Sequence, residues 1–226
     1  MELKSSAKLN IGLHVHNLRS DGFHNISTLF QEINLFDSIK IDEAETFSCK
    51  TSCGNISEAD NFGTKAFKIV KKQNPSIPNV SILINKNIPT NAGLGGGSSN
   101  GTAVLKGLNS FFDLSIDNGN LTSMAQEISS DSTFFIDGGM QFGTQRGEKL
   151  ESVENIEIPK HILLVHPNIK ISTKTAFEQL KNHLLNENMD INLSKLLREL
   201  KNNNFNSKLF KNDFEMYVFE THPEIG

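Results

Sequence analysis

The chain has 226 residues, of which 37% are hydrophobic, and a formal net charge of -4 at pH 7. This length can bury a core and predicts one large domain or two small ones. The slight negative charge leaves no polycationic surface, so we expect neither nucleic acid nor a membrane as a partner. The sequence has no run of about 18 apolar residues, and MELKSSAKLN lacks the apolar centre of a signal peptide. We therefore expect a soluble cytoplasmic protein.

Three stretches have the two-residue period of strands with one buried face. Residues 7–15, AKLNIGLHV, alternate apolar residues with polar residues or glycine, so Lys8 and Asn10 are predicted to share a face that points away from the core. The stretches ISTLFQEINLFDSIKI and VSILINK repeat the alternation. We expect these strands to belong to one sheet.

Apolar residues at helical spacing predict helices that alternate with the strands. One follows Asp60 as its cap, one follows the cap Ser98 or Ser99, and a third covers residues 121–128. An acidic, weakly patterned stretch places a domain boundary near residue 150. After it, HILLVHP predicts a strand, and helical periods follow at 177–184, 193–200 and 214–219.

The two cysteines, Cys49 and Cys53, lie four positions apart in a polar stretch with only distant histidines. This spacing matches neither a zinc site nor a disulfide framework. We expect two reduced surface thiols.

The segment IPTNAGLGGGSSNG, residues 88–101, gathers four glycines between a predicted strand and a predicted helix. Bare backbone N–H groups and the positive end of a helix can converge there on a phosphate. The segment has no Gly-Lys-Ser/Thr as in a P-loop, and its spacing is not the dinucleotide fingerprint G-x-G-x-x-G. The alternative is a flexible surface loop with an ordinary helix cap.

Two polar residues can supply chemistry beside such a loop. Asp131 precedes FFI, residues 134–136, which predict a buried strand, so it either caps a helix or turn or points into a site. Lys8 is either a solvated strand lysine or the partner of that carboxylate. As a pair they suit phosphoryl transfer, in which a carboxylate orients a hydroxyl proton and a lysine offsets charge on the moving group.

Five stretches occur in the order and at the spacings of GHMP-type kinases, namely SSAKLNIGLHV, SDGFHNISTLFQEINLFDSI, EADNFGTKAF, IPTNAGLGGGSSNGTAVLKGLN and SSDSTFFIDGG. The chain resembles this family, and DGFH with AKLN resembles the branch that phosphorylates a cytidylyl sugar alcohol on the non-mevalonate route to isoprenoids. The similarity continues through HPNIKISTKTAF to the last residues. The runner-up is another GHMP kinase that acts on a small alcohol such as homoserine or mevalonate.

The resemblance implies an α+β fold. Residues 1–150 would form a ribosomal-S5-like N-terminal domain with the ATP phosphate loop, and residues 151–226 a partial ferredoxin-like C-terminal domain. Family members continue past FETHPEIG through a third glycine-rich motif, so the chain is expected to be C-terminally truncated. It would then be a fragment of a longer reading frame, or a chain that binds nucleotide without efficient catalysis.

The resemblance also implies roles for individual residues, with Lys8 and Asp131 as the catalytic pair. Asn10 would hold the substrate near the reacting hydroxyl, Phe23 and Phe177 would grip the two faces of the cytosine, and His24 would engage its edge. The loop that wraps the ATP phosphates would consist of Pro89, Thr90, Asn91, Ala92, Gly93, Leu94, Gly95, Gly96, Gly97, Ser98 and Ser99.

Magnesium is implied by the chemistry, with Ser98 or Ser99 as the nearest hydroxyl, and we expect a monomer or weak homodimer. The chain departs from the family at four positions. The family has proline where Ser6 and Thr133 stand and glycine where Asn91 and Ser129 stand. Asn91 tolerates a left-handed backbone in place of glycine. Ser129 and Thr133 flank Asp131 and bear on how firmly its loop is held.

Overall fold

A computed structural model describes residues 1–54, 56–154, 156, 161–169, 171–180, 189–202 and 210–226. The strands of this part of the chain are β1 (Glu2–Leu18), β2 (His24–Ala44), β3 (Ser48–Thr51), β4 (Asn79–Asn85), β5 (Met140–Thr144) and β6 (Lys149–Ser152). The helices are α1 (Phe62–Gln73), α2 (Gly96–Phe111), α3 (Asn118–Ile128), α4 (Phe134–Asp137), α5 (Thr173–Leu180), α6 (Met189–Lys201) and α7 (Phe214–Thr221), with a 3-10 turn at Ser130–Ser132. Every helix in these ranges is too short or too polar to cross a bilayer.

The chain divides into two compact units, and each is built from two separate stretches. The first unit comprises Met1–Lys8 and Glu32–Gly138, and the second comprises Leu9–Gln31 and Gly139–Gly226. The long strands β1 and β2 therefore contribute residues to both units. The division near residue 150 stays a prediction.

The first unit packs helices against strands β2, β4 and β3. β4 runs antiparallel to β2 and parallel to β3. Because side chains alternate across a strand, Ile39 and Ile41 of β2 and Ile82 and Ile84 of β4 enter one core with residues of α1, α2 and α3. Because β4 and α2 both pack into this core, the segment that connects them is anchored at both ends.

In the second unit, β5 pairs antiparallel with β2 and β6 pairs antiparallel with β5. Leu29 of β2 packs with Leu196 and Leu200 of α6 in one small core. A second small core contains four buried side chains, with Phe177 and Phe214 packed against it, and its buried members are Leu13, Val15, Ile26 and Leu180. The predicted α+β class is confirmed.

The predicted strands around residues 7–15, 29–35 and 80–86 are confirmed as parts of β1, β2 and β4. The helix predicted over residues 121–128 is confirmed as α3, which begins earlier because the Asp117 carboxylate accepts from the N–H of Asn120. The last helical periods are confirmed as parts of α5, α6 and α7. The expected extension from α5 to residue 184 lies outside the described residues.

The predicted cap of α1 and two predicted strands are wrong. Helix α1 is capped by the side chain of Asn61 rather than Asp60, since Oδ1 of Asn61 accepts from the N–H of Gly63. Residues 134–136 are buried as predicted, but they belong to α4 instead of a strand. HILLVHP has no strand, and Leu163 and Val165 are largely exposed. Apolar runs as short as these do not separate strand from helix or loop without their tertiary partners.

The prediction of two surface thiols holds for only one cysteine. Both cysteines are free, but Cys49 is buried and Cys53 is partly exposed. Cys49 lies in β3 with its side chain in the core of the first unit. Burial raises the pKa of the Cys49 thiol to about 11.

Candidate active site

The glycine-rich loop connects β4 to α2 through three residues with left-handed backbones. These are Asn91, Gly93 and Gly95, with φ of 58°, 73° and 68°. Asn91 thus adopts the conformation expected of the residue that replaces a glycine, which asparagine tolerates better than most side chains. These turns lead the chain from β4 to the start of α2.

Helix α2 begins at Gly96, after Gly95 as its N-cap. The predicted cap by Ser98 or Ser99 is wrong, because both serines already lie within the first turn and Gly95 offers no side chain to the N–H groups. An N-terminus without a side-chain cap presents its first N–H groups and the positive end of the helix dipole to an anion. This geometry suits a phosphate group.

Gly95 also sets how closely the loop approaches Lys8. A Cβ atom at Gly95 would lie 2.9 Å from Cζ of Phe135 and 3.0 Å from Cγ of Lys8. The backbone N–H of Lys8 donates to the carbonyl of Leu94 at 3.0 Å. Only glycine therefore fits between the loop and the lysine.

Lys8 and Asp131 form an ion pair in the first unit. The Nζ atom of Lys8 lies 3.5 Å from Oδ2 of Asp131, and the side chains are 6% and 37% exposed. Of the two roles that the sequence left open for Lys8, the solvated one is wrong, because the loop and the segment with Asp131 cover that part of β1. Asp131 is not the N-cap of the 3-10 turn or of α4, where Ser129 and Thr133 hold those positions.

The two departures beside Asp131 add hydrogen bonds to its segment. The Ser129 hydroxyl donates to the hydroxyl of Ser98 at 2.8 Å and also bonds the hydroxyl of Ser132 at 2.7 Å. The Thr133 hydroxyl donates to the carbonyl of Ser130 at 3.0 Å. Ser129 therefore ties the segment that carries Asp131 to the first turn of α2.

In the second unit, His24 and Phe177 have nearly parallel rings, 5.7 Å apart between centroids and inclined by 13°. Nδ1 of His24 lies 2.7 Å from the carbonyl oxygen of His16. Since a carbonyl only accepts, Nδ1 carries the proton and Nε2 keeps its lone pair in the neutral ring. Nε2 is buried and has no hydrogen-bond partner. The edge of Phe214 packs against Phe177 at 4.9 Å.

Phe23 is 55% exposed and, within the described part of the chain, contacts Arg146 and Asp21 rather than the rings of His24 and Phe177. The guanidinium of Arg146 lies over its ring at 4.9 Å, a cation–π contact that the sequence did not indicate. The N–H of Phe23 donates to Asp21, whose carboxylate also accepts from Nε of Arg19 at 3.0 Å. The hydrogen bond from Arg19 lowers the pKa of Asp21.

The side chain of Asn10 in β1 is held by a hydrogen bond to the neighbouring strand β2. Its Nδ2 donates to the Thr28 hydroxyl at 2.9 Å, and that hydroxyl donates to the carbonyl of Gly12 at 2.8 Å. The orientation of the Asn10 amide is therefore set before any substrate arrives.

Sequence reasoning missed a buried polar network beneath the glycine loop, centred on Asp37. The signal was an aspartate inside FDSIKI, a stretch otherwise patterned as a strand with a buried face, together with a lysine directly before the loop.

Comparison with known proteins places these features in a family. Residues 61–139 match the model of the GHMP kinases N terminal domain. The whole chain is 37% identical to the 4-diphosphocytidyl-2-C-methyl-D-erythritol kinase of Prochlorococcus marinus (strain MIT 9301) and spans 76% of that relative. The enzyme of the same name from Sulfurihydrogenibium sp. (strain YO3AOP1) is 35% identical over 84% of this chain and 69% of its own length.

Solved structures agree with this placement. A crystal structure of 4-(cytidine 5'-diphospho)-2C-methyl-D-erythritol kinase matches with a TM-score of 0.79 at 24% identity, covering 99% of this chain and 79% of that one. A homoserine kinase from Cytophaga hutchinsonii matches with a TM-score of 0.58 at 16% identity, covering 90% of this chain and 68% of that one. Both likenesses are of fold.

The named relatives, together with the matched N-terminal domain, place the chain among the GHMP kinases, enzymes that phosphorylate small molecules with ATP. Within that class, the chain belongs to the 4-diphosphocytidyl-2-C-methyl-D-erythritol kinase family.

Proposed function

We propose that the chain transfers the γ-phosphoryl group of ATP to the 2-hydroxyl of 4-diphosphocytidyl-2-C-methyl-D-erythritol, in the non-mevalonate route to isoprenoid precursors. The observation that carries the proposal is the Lys8–Asp131 ion pair, which lies beside a glycine loop at an uncapped helix N-terminus. Relatives over 30% identical carry the name of this kinase.

The loop from Pro89 to Ser99 would hold the triphosphate. Its left-handed residues turn the backbone, and the first N–H groups of α2 point along the positive end of the helix dipole. Backbone N–H groups and a helix dipole are fixed before the nucleotide binds, so they stabilise phosphate charge with little reorganisation. Gly95 lets this cradle lie against Lys8.

Asp131 would accept the proton of the attacking hydroxyl. The hydroxyl oxygen bonds to the γ-phosphorus, its proton passes to the carboxylate, and the bond from the γ-phosphorus to the bridging oxygen of ADP breaks. Lys8 would hold the Asp131 carboxylate in place through the ion pair and offset charge on the moving phosphoryl group. The difference in exposure suits these roles, because Asp131 is open to a substrate while Lys8 is enclosed behind it.

The residues beside the loop fit a magnesium ion, which prefers oxygen ligands and binds mainly through phosphates and water. When bound, it would neutralise charge on the triphosphate. Ser98 is the better placed of the two serines in the first turn. Its hydroxyl faces the segment that carries Asp131, through Ser129, whereas the Ser99 hydroxyl accepts from Ser5.

The cytosine would be bound by residues of the second unit. The lone pair on Nε2 of His24 can accept from the exocyclic amino group of cytosine, and burial without a partner makes that acceptor costly to leave empty. Phe177 and Phe23 offer flat apolar faces for the ring, and Arg146 and Asp21 hold Phe23. Asn10 would hold the sugar alcohol near the reacting hydroxyl.

A coupled assay for ADP release tests the function directly. The purified chain is supplied with ATP, magnesium and either the cytidylyl substrate, mevalonate or homoserine, and the product is identified by phosphorus NMR. We expect turnover with the cytidylyl substrate alone, and none in the matched Asp131→Asn variant. Turnover with mevalonate or homoserine instead would overturn the substrate. If the chain binds ATP but phosphorylates none of the three alcohols, the alternative of a chain that binds nucleotide without efficient catalysis is supported instead.

A further inference from the structure

A fully buried carboxylate lies directly beneath the glycine loop. Asp37 is 0% exposed. Its Oδ1 accepts from the backbone N–H groups of Asn87 at 2.7 Å and Ile88 at 2.8 Å. Its Oδ2 accepts from the ammonium of Lys86 and from Nδ2 of Asn100, the latter at 2.8 Å. Four donors therefore converge on one side chain.

The network continues from Asp37 into α2 and β1. Oδ1 of Asn100 accepts from Lys86 at 3.0 Å, and its Nδ2 also donates to the Ser5 hydroxyl at 2.8 Å. The Ser5 hydroxyl in turn donates to the hydroxyl of Ser99 at 2.8 Å. Ser5 lies in β1, three residues before Lys8. The network thus reaches the strand that carries the proposed catalytic lysine.

These contacts hold both ends of the loop. Lys86 and Ile88 lead into it from β4, and Ser99 and Asn100 lie at its other end in α2. A Cβ atom at Gly96 would lie 3.0 Å from Cγ2 of Ile88 and 3.3 Å from Nζ of Lys86. The first residue of α2 therefore rests directly on the residues that Asp37 binds.

Asp37 is a charged residue in an apolar part of β2, where Ile39 and Ile41 are buried. Replacing a whole buried ion pair with apolar residues often costs no stability, so the pair of Asp37 and Lys86 is not required for stability as such. A carboxylate can accept several hydrogen bonds at once, and bonds to a charged acceptor are stronger and more directional than neutral ones. An apolar side chain would leave two backbone N–H groups and a buried ammonium without this acceptor.

We propose that Asp37 is a positioning residue for ATP, whose carboxylate fixes the two ends of the glycine loop in the geometry that receives the phosphates. The inference deepens the proposed function, since it rests on the loop being the phosphate cradle. Asp37 touches no substrate and acts through the backbone of residues 87–88 and the side chains of Lys86 and Asn100.

The test is Asp37→Asn, which keeps the shape but turns an amide N–H₂ toward donors. We expect the Kd for ATP in calorimetry to rise roughly 10-fold or more, while the Kd for the cytidylyl substrate changes little. In kinetics the KM for ATP should rise and the KM for the second substrate should not. Amide hydrogen exchange should quicken at Asn87 and Ile88 before the rest of the first unit.

The matched control is Val70→Ala, which removes volume from the core of the same unit at a fully buried site in α1. It should lower the melting temperature while leaving the Kd for ATP near the native value. If Asp37→Asn and Val70→Ala bind ATP equally well at a temperature where both are folded, Asp37 is only structural and the proposal is overturned.

Ser5→Ala keeps the test decisive if Asp37→Asn does not fold. It removes the link from Asn100 to Ser99 without burying an unpaired charge, and we expect a several-fold weaker Kd for ATP. If Ser5→Ala binds ATP with native affinity and amide exchange at residues 87–88 is unchanged, the proposal that this hydrogen-bond network positions the loop for ATP is overturned. If the native chain binds no ATP, the proposed function fails instead, and amide exchange in the same variants still decides whether Asp37 fixes the loop.

Discussion

The ammonium of Lys8 in the first strand lies 3.5 Å from the carboxylate of Asp131, which follows the third helix. The lysine side chain is almost enclosed, whereas the carboxylate is 37% exposed. In the proposed reaction, this arrangement leaves the carboxylate open to the substrate hydroxyl whose proton it accepts, while the lysine holds it in place.

Replacing Asp131 with asparagine should lower turnover by roughly 10²-fold or more. The amide keeps the size of the side chain but cannot accept the proton of the hydroxyl. Binding of ATP, measured by calorimetry, should persist. Near-normal turnover in this variant would remove Asp131 from the chemistry.

Lys8→Met should lower turnover in the same direction, because the methionine fills the space of the lysine stem without its charge. The double variant with Asp131→Asn should lose little beyond the worse single variant, as groups that act as a unit do. Steady-state kinetics of the two single variants and the double variant make the comparison. Losses that simply multiply would show two independent effects and not a pair.

Gly95→Ala should weaken ATP binding roughly 10-fold or more, since a left-handed backbone costs about 1–2 kcal/mol for a residue with a Cβ. The new methyl group would also press on Phe135 and Lys8. Calorimetry with ATP measures the change.

Gly54→Ala is the matched control for Gly95→Ala. Gly54 also has a left-handed backbone, with φ of 65°, and its Cβ would meet no other atom of the described chain within 4 Å. Alanine there carries the same backbone cost outside the glycine loop, so we expect ATP binding to be retained. Equal weakening in both variants would mean that the backbone at Gly95 has no special part in the cradle.

Phe177→Ala should weaken binding of the cytidylyl substrate by about 1–3 kcal/mol, through lost stacking and apolar burial. ATP affinity should stay near the native value. A loss of ATP affinity, with the cytidylyl substrate unaffected, would assign this ring to the nucleotide pocket or to the core.

His24→Ala should reduce the preference for cytosine over uracil. Uracil carries a carbonyl oxygen where cytosine has its amino group, and that oxygen would face the lone pair of Nε2 without a proton between them. Inhibition by free cytidine diphosphate and uridine diphosphate measures the preference in the native chain and the variant. Equal inhibition of the native chain by both would remove His24 from base recognition.

The two cysteines should differ in reactivity. Burial raises the pKa of Cys49 to about 11, so its reactive thiolate is scarce near neutral pH. Iodoacetamide at pH 8 should modify Cys53, which is partly exposed, and reach Cys49 only after denaturation. Mass spectrometry of the digested chain locates the label, and rapid labelling of Cys49 in the folded chain would contradict its burial.

The same pKa predicts how stability depends on pH. The folded chain holds the Cys49 proton more tightly than the unfolded chain does. The contribution of this difference to the free energy of unfolding is therefore complete below the ordinary pKa of a thiol. It is lost as the pH rises toward about 11. The free energy of unfolding in urea should therefore fall more steeply above pH 9 in the native chain than in Cys49→Val. If the free energy of unfolding falls equally steeply with pH in both chains, the raised pKa of Cys49 is contradicted.

Several errors of sequence reasoning have a common physical cause. FFI at residues 134–136 was predicted to be a strand, and HILLVHP likewise, but a short apolar run has no period of its own long enough to decide. The sequence left open whether Lys8 is solvated, because alternation in β1 assigns it to the polar face. In the folded chain that face is covered by a loop some 80 positions away along the sequence.

The sequence by itself determined the local elements and the glycine loop, because two-residue and helical periods, and glycines before a helix, reflect backbone geometry over a few neighbouring residues. Only the tertiary structure decided that Lys8 is enclosed beside Asp131, that Asp37 collects four donors under the loop, and that Nε2 of His24 is buried without a partner. Burial and charge pairing depend on residues far apart in the chain, and no local period encodes which of them meet.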